Sequence, residues 1–188
     1  MSLTIPNLIS LIRMGLTPVF VIAVLQQEPE RALAIFAIAG VTDALDGLIA
    51  RYFDQRSALG AYLDPIADKL LLTAGFVIFA IPNVHSGVVI PVWITVLVLA
   101  RDITILGLAL VLQLVASIKE FPPLNLSKVN TAMQITAIIL VLLTGLVDSM
   151  DTLTVATLYL VAGLTVLSGL MYIRQVNRLL AQHQREKD

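Results

Sequence analysis

A long apolar run near the middle of the chain indicates the fold class: residues 88–116 read VVIPVWITVLVLARDITILGLALVLQLVA. Arg101 and Asp102 are the only charged residues in it. A helix crosses the hydrocarbon core of a bilayer with about 20 mostly apolar residues, and backbone groups in lipid must be hydrogen-bonded within the segment. The run therefore predicts a transmembrane α-helix.

Five further apolar segments flank this run and are separated from it and from each other by short polar stretches. The six predicted spans are Pro6–Leu25, Ala32–Ala50, Asp64–Pro82, Val88–Ala116, Val129–Val147 and Leu153–Ile173. No polar stretch is long enough to form a second domain. We therefore predict an all-α integral membrane protein, a six-transmembrane-helix bundle in which residues 1–188 form one domain.

The composition excludes several other classes of protein. Of the 188 residues, 58% are hydrophobic and 13% are charged, whereas soluble domains have about 45–50% apolar and about 25% charged residues. A net charge of -1, without a long Lys/Arg cluster, argues against nucleic-acid binding. The chain has no Cys and only two distant histidines, His85 and His183, so thiolate chemistry is excluded and a zinc site has little support.

The positive charges predict the orientation of the bundle. With six spans, one side of the membrane receives both termini and eight basic residues, whereas the other side receives only Arg31. The eight are Arg51, Arg56, Lys119, Lys128, Arg174, Arg178, Arg185 and Lys187. Because Lys and Arg are enriched on the cytoplasmic side, we expect both termini in the cytoplasm. The lack of an obvious organelle-targeting leader favours a bacterial inner membrane.

Acidic residues cluster where the second predicted span ends and the third begins. These stretches are residues 42–51, TDALDGLIAR, and residues 60–69, GAYLDPIADK. Asp43 and Asp46 are three residues apart, and Asp64 and Asp68 are four apart, so each pair shares one helix face. A short loop joins the two spans, so we expect antiparallel neighbours whose four carboxylates meet near the cytoplasmic boundary. Pro65 suits a first helical turn, with Asp64 as its N-cap.

Four carboxylates that meet in a medium of low dielectric constant must be partly protonated or held by cations. A donor set of oxygen atoms alone favours Mg²⁺ or Mn²⁺, and two such ions would balance four negative charges. A two-metal site can stabilise a phosphoryl displacement, and Gly47 and Gly60 leave space for a ligand beside it.

The residues alone leave three functions open. The first is metal-dependent phosphoryl chemistry in an active site on the cytoplasmic side. The second is an ion or proton transporter lined by carboxylates. The third is a structural or assembly protein in which the aspartates only hold the helices together.

This acidic region resembles a known motif at eight fixed positions within 26 residues. The run is Asp43-x-x-Asp46-Gly47-x-x-Ala50-Arg51-x8-Gly60-x3-Asp64-x3-Asp68. It is similar to the signature of the CDP-alcohol phosphatidyltransferase family. The resemblance implies that the four aspartates bind two Mg²⁺ or Mn²⁺ ions and that Asp68 is also the general base. It further implies a homodimer that binds CDP-diacylglycerol, with the CDP moiety held by Gly47, Ala50, Arg51 and Gly60.

Other segments resemble the branches of this family that use glycerol-type acceptors. Residues 5–13 and 63–69 are similar to both phosphatidylglycerophosphate synthases and eukaryotic-type cardiolipin synthases. The first of these branches usually has Ala-Arg-Glu and Gly-Lys-x-Lys-Thr, where this chain has Ala-Arg-Asp at 100–102 and Ser-Lys-Val-Asn-Thr at 127–131. The resemblance therefore favours phosphatidylglycerol as the acceptor, with glycerol-3-phosphate as the alternative.

Three basic residues are candidates for binding this acceptor: Arg13, Arg101 and Lys128. Each has a simpler interpretation. Arg101 lies deep in a span and needs an anion, which is either Asp102 or an acceptor phosphate. Lys128 can be an ordinary cytoplasmic charge, and Arg13 can bind a lipid phosphate or extend to the membrane surface.

Overall fold

The computed structural model describes residues 5–52, 60–115 and 125–185, and all regular structure in these ranges is helical. Six α-helices follow one another along the chain, and a short 3-10 helix, Asp148–Met150, precedes the last of them. They are α1 (Ile5–Leu25), α2 (Pro29–Tyr52), α3 (Gly60–Phe79), α4 (Val92–Val115), α5 (Asn125–Thr144) and α6 (Asp151–Arg185). The prediction of an all-α fold is confirmed.

Each predicted span overlaps one helix, but several ends differ because a helix can continue through polar sequence that a hydropathy pattern excludes. α3 begins at Gly60, so Asp64 and Pro65 lie inside it, and the prediction that Asp64 caps this helix is wrong. α6 continues to Arg185, well beyond the predicted end at Ile173. Along this extension the backbone groups still bond within the helix, so apolar side chains are not required for it to form.

The fourth predicted span begins too early. α4 starts at Val92, and the backbone amides of two preceding residues donate hydrogen bonds to groups outside this helix. The amide of Val88 donates to Thr144 Oγ1 at 3.0 Å, and the amide of Ile90 donates to the carbonyl of Phe79 at 2.9 Å. These contacts accompany residues 88–91 outside the helix, although their side chains are as apolar as those of α4.

The turn between α1 and α2 has the hydrogen bonds of a Schellman motif. The amide of Glu28 donates to the Ala23 carbonyl at 3.1 Å, and that of Gln27 donates to the Val24 carbonyl at 3.0 Å. Gln27 adopts a left-handed conformation with φ 56°, the position usually taken by Gly. Pro29 then begins α2, where its missing N–H costs nothing.

The chain divides into two compact units, described separately below. The first unit comprises Met1–Ile90 and Ile138–Thr154, and the second comprises Pro91–Ala137 and Val155–Asp188. In the first unit, α1 packs against both α2 and α3. Its core contains an aromatic cluster in which the Phe20 ring lies 5.7 Å from that of Phe36 and 6.1 Å from that of Phe79, between ring centroids.

The second unit contains α4, the first part of α5 and most of α6. Ile94 and Val98 of α4 and Leu158 and Val161 of α6 are buried in it. The same helices also bury the polar side chains of Arg101, Thr165 and Ser168. On its exposed side, the rings of Trp93 and Tyr159 lie 6.0 Å apart between centroids.

Several helices bury polar side chains and expose apolar ones. In α1, Arg13 and Thr17 are buried, whereas Ile12 and Val19 are exposed. In α6 the buried polar residues are Thr154, Thr157, Thr165 and Ser168, and the exposed apolar residues are Leu153, Val155, Leu160, Val166, Leu167, Leu170, Met171 and Ile173. A helix at a water-exposed surface has the opposite distribution. Lipid provides the surroundings in which this arrangement is favourable.

Two helical segments in the described part of the chain are long and apolar enough to cross a membrane: residues 125–144 and 151–176. Shorter apolar helical stretches cover Ser10–Leu25 and Lys69–Phe79. The six-span bundle stays a prediction.

Candidate functional site

The predicted metal-binding residues lie on two helices of the first unit. α2 carries Asp43 and Asp46, and α3 carries Asp64 and Asp68. Because both regions are α-helical, each pair lies on one helix face, as the spacing predicts. The side chains of the four aspartates lie outside the described residues. The same is true of the surroundings of the predicted CDP-binding residues Gly47, Ala50, Arg51 and Gly60. Their convergence and their contacts with CDP stay predictions.

The donor chemistry of the acidic motif fits a hard divalent cation. Four carboxylates supply only oxygen atoms, which suit Mg²⁺ or Mn²⁺. Both helices that carry them pack against α1 in the same unit. Among the side chains that the structure describes, no group of three or more His, Asp or Glu residues could hold a metal ion. On its donor chemistry, the acidic motif is the candidate metal site.

A buried hydrogen-bond network surrounds Arg101 in the second unit. Its Nη1 donates to Asp102 Oδ1 at 2.7 Å, and the two side chains are only 6% and 8% exposed. Its Nε donates to Ser168 Oγ at 3.0 Å, and its Nη2 donates to Ser127 Oγ. Asp102 therefore pairs with Arg101, as one of the two alternatives expected, and binding of an acceptor phosphate by Arg101 stays a prediction. The network joins α4, α5 and α6.

Two buried amides follow Ser127 along α5. The Oδ1 of Asn130 accepts a hydrogen bond from Thr165 Oγ1 at 3.2 Å. Within the described ranges, Asn130 Nδ2 and both polar atoms of Gln134 have no hydrogen-bond partner. Both residues are 0% exposed. Burying an amide atom without a partner is unfavourable, so these groups differ from ordinary core residues.

The other two candidate acceptor residues lie in different surroundings. Lys128 is exposed in the first turn of α5, next to the residue that binds Arg101. Arg13 is only 2% exposed, and Thr17 Oγ1 donates to its carbonyl at 3.3 Å. The side chain of Arg13 is therefore enclosed by protein atoms. Binding of an acceptor by either residue stays a prediction.

Most of the polar network in the second unit was not predicted from the sequence. Arg101, Asp102 and Lys128 were candidates, and Asn130 was noted only as a difference from a related motif. A signal was present in the spacing: Ser127, Asn130 and Gln134 recur at intervals of three and four residues, and Thr165 and Ser168 are three apart. Polar residues that repeat on one face of an apolar helix indicate a buried polar contact.

A cavity lies in the first unit, away from the acidic motif. Gln27, Pro29, Phe79 and His85 are among the residues that line it. Asp43 follows Pro29 by 14 positions on α2, which corresponds to about 21 Å along the helix axis at 1.5 Å per residue. The cavity and the acidic motif therefore lie at different ends of α2.

Comparison with known proteins agrees with the acidic motif. A profile of the family described as CDP-alcohol phosphatidyltransferase matches residues 3–170. The chain is also similar to proteins named cardiolipin synthase (CMP-forming). That of Homo sapiens is 36% identical over 148 residues, which cover 70% of this chain and 48% of that protein. That of Streptomyces coelicolor is 35% identical over 117 residues, covering 59% of this chain and 52% of that protein.

A plant relative extends the similarity over almost the whole chain. The protein of the same name from Oryza sativa subsp. japonica is 31% identical over 196 aligned positions, covering 95% of this chain and 59% of its own length. The chain spans about half the length of these relatives. The profile match covers most of the 188 residues and includes both acidic pairs. This chain therefore belongs to the CDP-alcohol phosphatidyltransferase family.

Proposed function

We propose that this chain transfers the phosphatidyl group of CDP-diacylglycerol to a hydroxyl of phosphatidylglycerol, forming cardiolipin and releasing CMP. The main support is the family match over residues 3–170, which contains the complete acidic motif. The name shared by relatives from animals, plants and bacteria supports this acceptor and this leaving group. Glycerol-3-phosphate remains the alternative acceptor, and the experiment below separates the two.

Asp68 is the proposed general base. Its carboxylate accepts the proton of the acceptor hydroxyl while the hydroxyl oxygen attacks the β-phosphorus of CDP-diacylglycerol. A bond forms between that oxygen and phosphorus, the bond from phosphorus to the bridging oxygen breaks, and CMP leaves with its electron pair. General-base catalysis contributes about 10²- to 10⁴-fold to such a step. Arg51 would stabilise the pyrophosphate, and Gly47, Ala50 and Gly60 would leave space for the nucleotide.

We propose that Asp43, Asp46, Asp64 and Asp68 hold two Mg²⁺ or Mn²⁺ ions. When bound, these ions would supply positive charge that neutralises the pyrophosphate and the departing phosphate of CMP. The oxygen-only donor set supports this choice of metal. Asp68 would need to keep one oxygen available for the proton.

Arg101 and Lys128 are the proposed binding residues for the acceptor phosphate. Lys128 lies next to Ser127, and Ser127 accepts a hydrogen bond from Arg101. These two cations therefore lie near the first turn of α5, whose backbone amides also favour an anion. Arg13 is a third candidate for this role.

We further propose that all six helices span the membrane, that both termini are cytoplasmic and that the protein is a homodimer in a bacterial inner membrane. Each helix has at least 20 residues, enough for a hydrocarbon core of about 30 Å. The buried polar and exposed apolar residues of α1 and α6 support the membrane location, and the distribution of Lys and Arg supports the orientation.

The decisive experiment identifies the lipid product. The purified full chain in lipid nanodiscs is incubated with Mn²⁺ or Mg²⁺, CDP-diacylglycerol, and either phosphatidylglycerol or glycerol-3-phosphate. We expect stoichiometric CMP and cardiolipin with the first acceptor. If phosphatidylglycerophosphate is the only product, glycerol-3-phosphate is the acceptor and the proposal of cardiolipin synthesis is wrong. Absence of CMP release with both acceptors would contradict the enzyme function.

Two further measurements address the functions that the sequence left open. Ion or proton flux into sealed vesicles without nucleotide would support a transporter, and we expect none. Replacing all four aspartates by Asn would leave the cellular role intact if they only held the helices together, whereas we expect cardiolipin synthesis to be lost.

A further inference from the structure

α1 buries a row of polar side chains within the first unit. Ser10, Arg13 and Thr17 are 0%, 2% and 5% exposed, and Phe20 continues the row at 0%. Their intervals of three and four residues place them on one face of the helix. Because α1 packs against α2 and α3, this buried face lies against the two helices that carry the acidic motif.

α2 has a matching row of buried positions. Ala32, Phe36 and Ala39 are buried at intervals of four and three residues. Asp43 and Asp46 continue the same intervals, and the helix extends beyond both of them. The positions of these two aspartates therefore lie on the face of α2 that packs inside the first unit.

A ring contact shows which positions of the two rows are level with each other. The rings of Phe20 and Phe36 lie 5.7 Å apart between centroids. α1 and α2 are joined by a tight turn and pack together, so they run antiparallel. Arg13 precedes Phe20 by seven residues, and Asp43 follows Phe36 by seven. Seven residues make almost two turns and about 10.5 Å of helix, so Arg13 and Asp43 occupy positions at the same level on the facing sides of their helices.

The charges along these helices agree with this pairing. A guanidinium in apolar surroundings is stable only beside a negative charge. The described acidic side chains of α1, α2 and the turn between them are Glu28 and Glu30, which lie beyond the end of α1. Arg13 is 12 residues before that end at Leu25, or about 18 Å along the axis. Asp43, in contrast, is the acidic residue of α2 that lies level with Arg13.

We propose that Arg13 is a positioning residue of the acidic motif, whose guanidinium donates to the Asp43 carboxylate and holds it in place for the metal. This inference rests on the proposed metal site. A carboxylate has two oxygen atoms, so it can accept from a guanidinium and also ligate a cation. Groups bonded to metal ligands orient those ligands, and their loss weakens metal binding about 10- to 100-fold. In this role Arg13 acts through Asp43 and not on the acceptor phosphate.

The first test measures metal affinity without turnover. Mn²⁺ is titrated into the purified full chain in nanodiscs, without CDP-diacylglycerol or acceptor, and the free ion is measured by electron paramagnetic resonance. Arg13→Met should raise the Kd for Mn²⁺ about 10-fold. Arg13→Lys keeps the charge and should return the Kd to within about threefold of the wild-type value. Arg13→Gln takes the place of Arg13→Met if that variant does not fold.

A matched control separates this role from general packing of α1. Thr17 is buried one turn from Arg13 on the same face, and its hydroxyl donates to the Arg13 carbonyl at 3.3 Å. Thr17→Val should therefore keep the wild-type Kd for Mn²⁺, even if it lowers the stability of the protein.

The second test measures the ion pair in the metal-free protein. Removing one partner of a buried pair leaves an uncompensated charge, whereas removing both does not. In EDTA, Asp43→Asn should therefore lower the thermal midpoint of unfolding of the wild type and raise that of Arg13→Met. Glu30→Gln is the control, because Glu30 lies 13 residues before Asp43 on the same helix. Its effect should be the same in both backgrounds, since distant sites contribute additively.

The outcomes distinguish this role from failure of the proposed function. An unchanged or lower Kd for Mn²⁺ in Arg13→Met would overturn the proposal, and a raised KM for phosphatidylglycerol in the same variant would then assign Arg13 to the acceptor. Equal effects of Asp43→Asn in both backgrounds would also overturn it. A wild-type protein that binds no Mn²⁺ would instead contradict the proposed metal site and with it this role, while the metal-free comparison would still show whether the ion pair forms.

Discussion

Arg101 Nη1 and Asp102 Oδ1 form a 2.7 Å ion pair although the two residues are adjacent on α4. Adjacent side chains on a helix point about 100° apart and do not normally face each other. Here the guanidinium is also bonded to Ser127 of α5 and Ser168 of α6. Contacts from three helices thus hold a local ion pair inside the second unit.

This pair predicts a strong effect of removing one partner. Asp102→Asn should lower the free energy of unfolding by about 3–5 kcal/mol, because it leaves a buried guanidinium without its counter-ion. Unfolding of the detergent-solubilised protein, followed by circular dichroism during titration with a denaturing detergent, measures this. The double variant Arg101→Met with Asp102→Leu should be more stable than Asp102→Asn. A double variant that is equally unstable would show that packing, and not charge, accounts for the loss.

The packing around Gly87 predicts that Gly87→Ala and Gly163→Ala differ strongly in their effect on stability. A Cβ atom on Gly87 would overlap Thr144 Oγ1 and lie 2.8 Å from the Val141 carbonyl oxygen. Gly87→Ala should therefore displace Thr144, break its bond with the Val88 amide and lower the thermal midpoint of unfolding by several degrees. Gly163→Ala on α6 has nothing within 4 Å of the new Cβ, so helix propensity should make it neutral or stabilising by up to about 1 kcal/mol. Equal effects of the two would contradict this contact.

The aromatic cluster of the first unit predicts the cost of a core truncation. Phe20 is fully buried against Phe36 and Phe79. Phe20→Ala should destabilise the protein by about 3–5 kcal/mol, because it removes buried apolar surface and leaves a cavity. Val19→Ala, at an exposed neighbouring position, is the matched control and should change the unfolding free energy by less than about 1 kcal/mol. The same denaturing-detergent titration compares them.

The acidic motif predicts a loss of activity without loss of folding. Asp68→Asn should reduce the rate of CMP release by at least about 10²- to 10⁴-fold, because the amide cannot accept the proton. Removing divalent metal with EDTA should abolish CMP release, and adding Mn²⁺ or Mg²⁺ should restore it. Asp151→Asn, an exposed carboxylate at the start of α6, should keep wild-type activity. Full activity of Asp68→Asn would exclude Asp68 as the base.

In the ranges that the structure describes, hydropathy was sufficient to predict the α-helices and roughly where they lie. Each of the six predicted spans overlaps one helix, because the requirement for about 20 apolar residues is a local one. Helix ends were predicted less well. Val88 and Ile90 are apolar yet lie outside α4, since their amides bond to Thr144 and Phe79. These partners are distant in sequence, so a local pattern carries no information about them.

The candidate site was likewise predicted from the sequence only in part. The spacing of Asp43, Asp46, Asp64 and Asp68 was readable because carboxylates are costly in lipid and their intervals match one helix face. The environment of Arg101 was predicted only in part. The sequence predicted Asp102 or a substrate phosphate as alternative anions, and the structure contains the ion pair with Asp102. The bonds to Ser127 and Ser168 join residues 26 and 67 positions away.

The order of residues alone therefore determined the helical class, the approximate spans, the acidic motif and the family, because hydrophobicity and helical periodicity act over one or two turns. Helix packing determined which polar groups are satisfied. It pairs Arg101 with Asp102, and it buries Asn130 and Gln134 on α5 with amide atoms that have no hydrogen-bond partner among the described residues. Hydrogen bonds need donors and acceptors within about 3 Å, and only the folding of the chain brings side chains from α4, α5 and α6 to that distance.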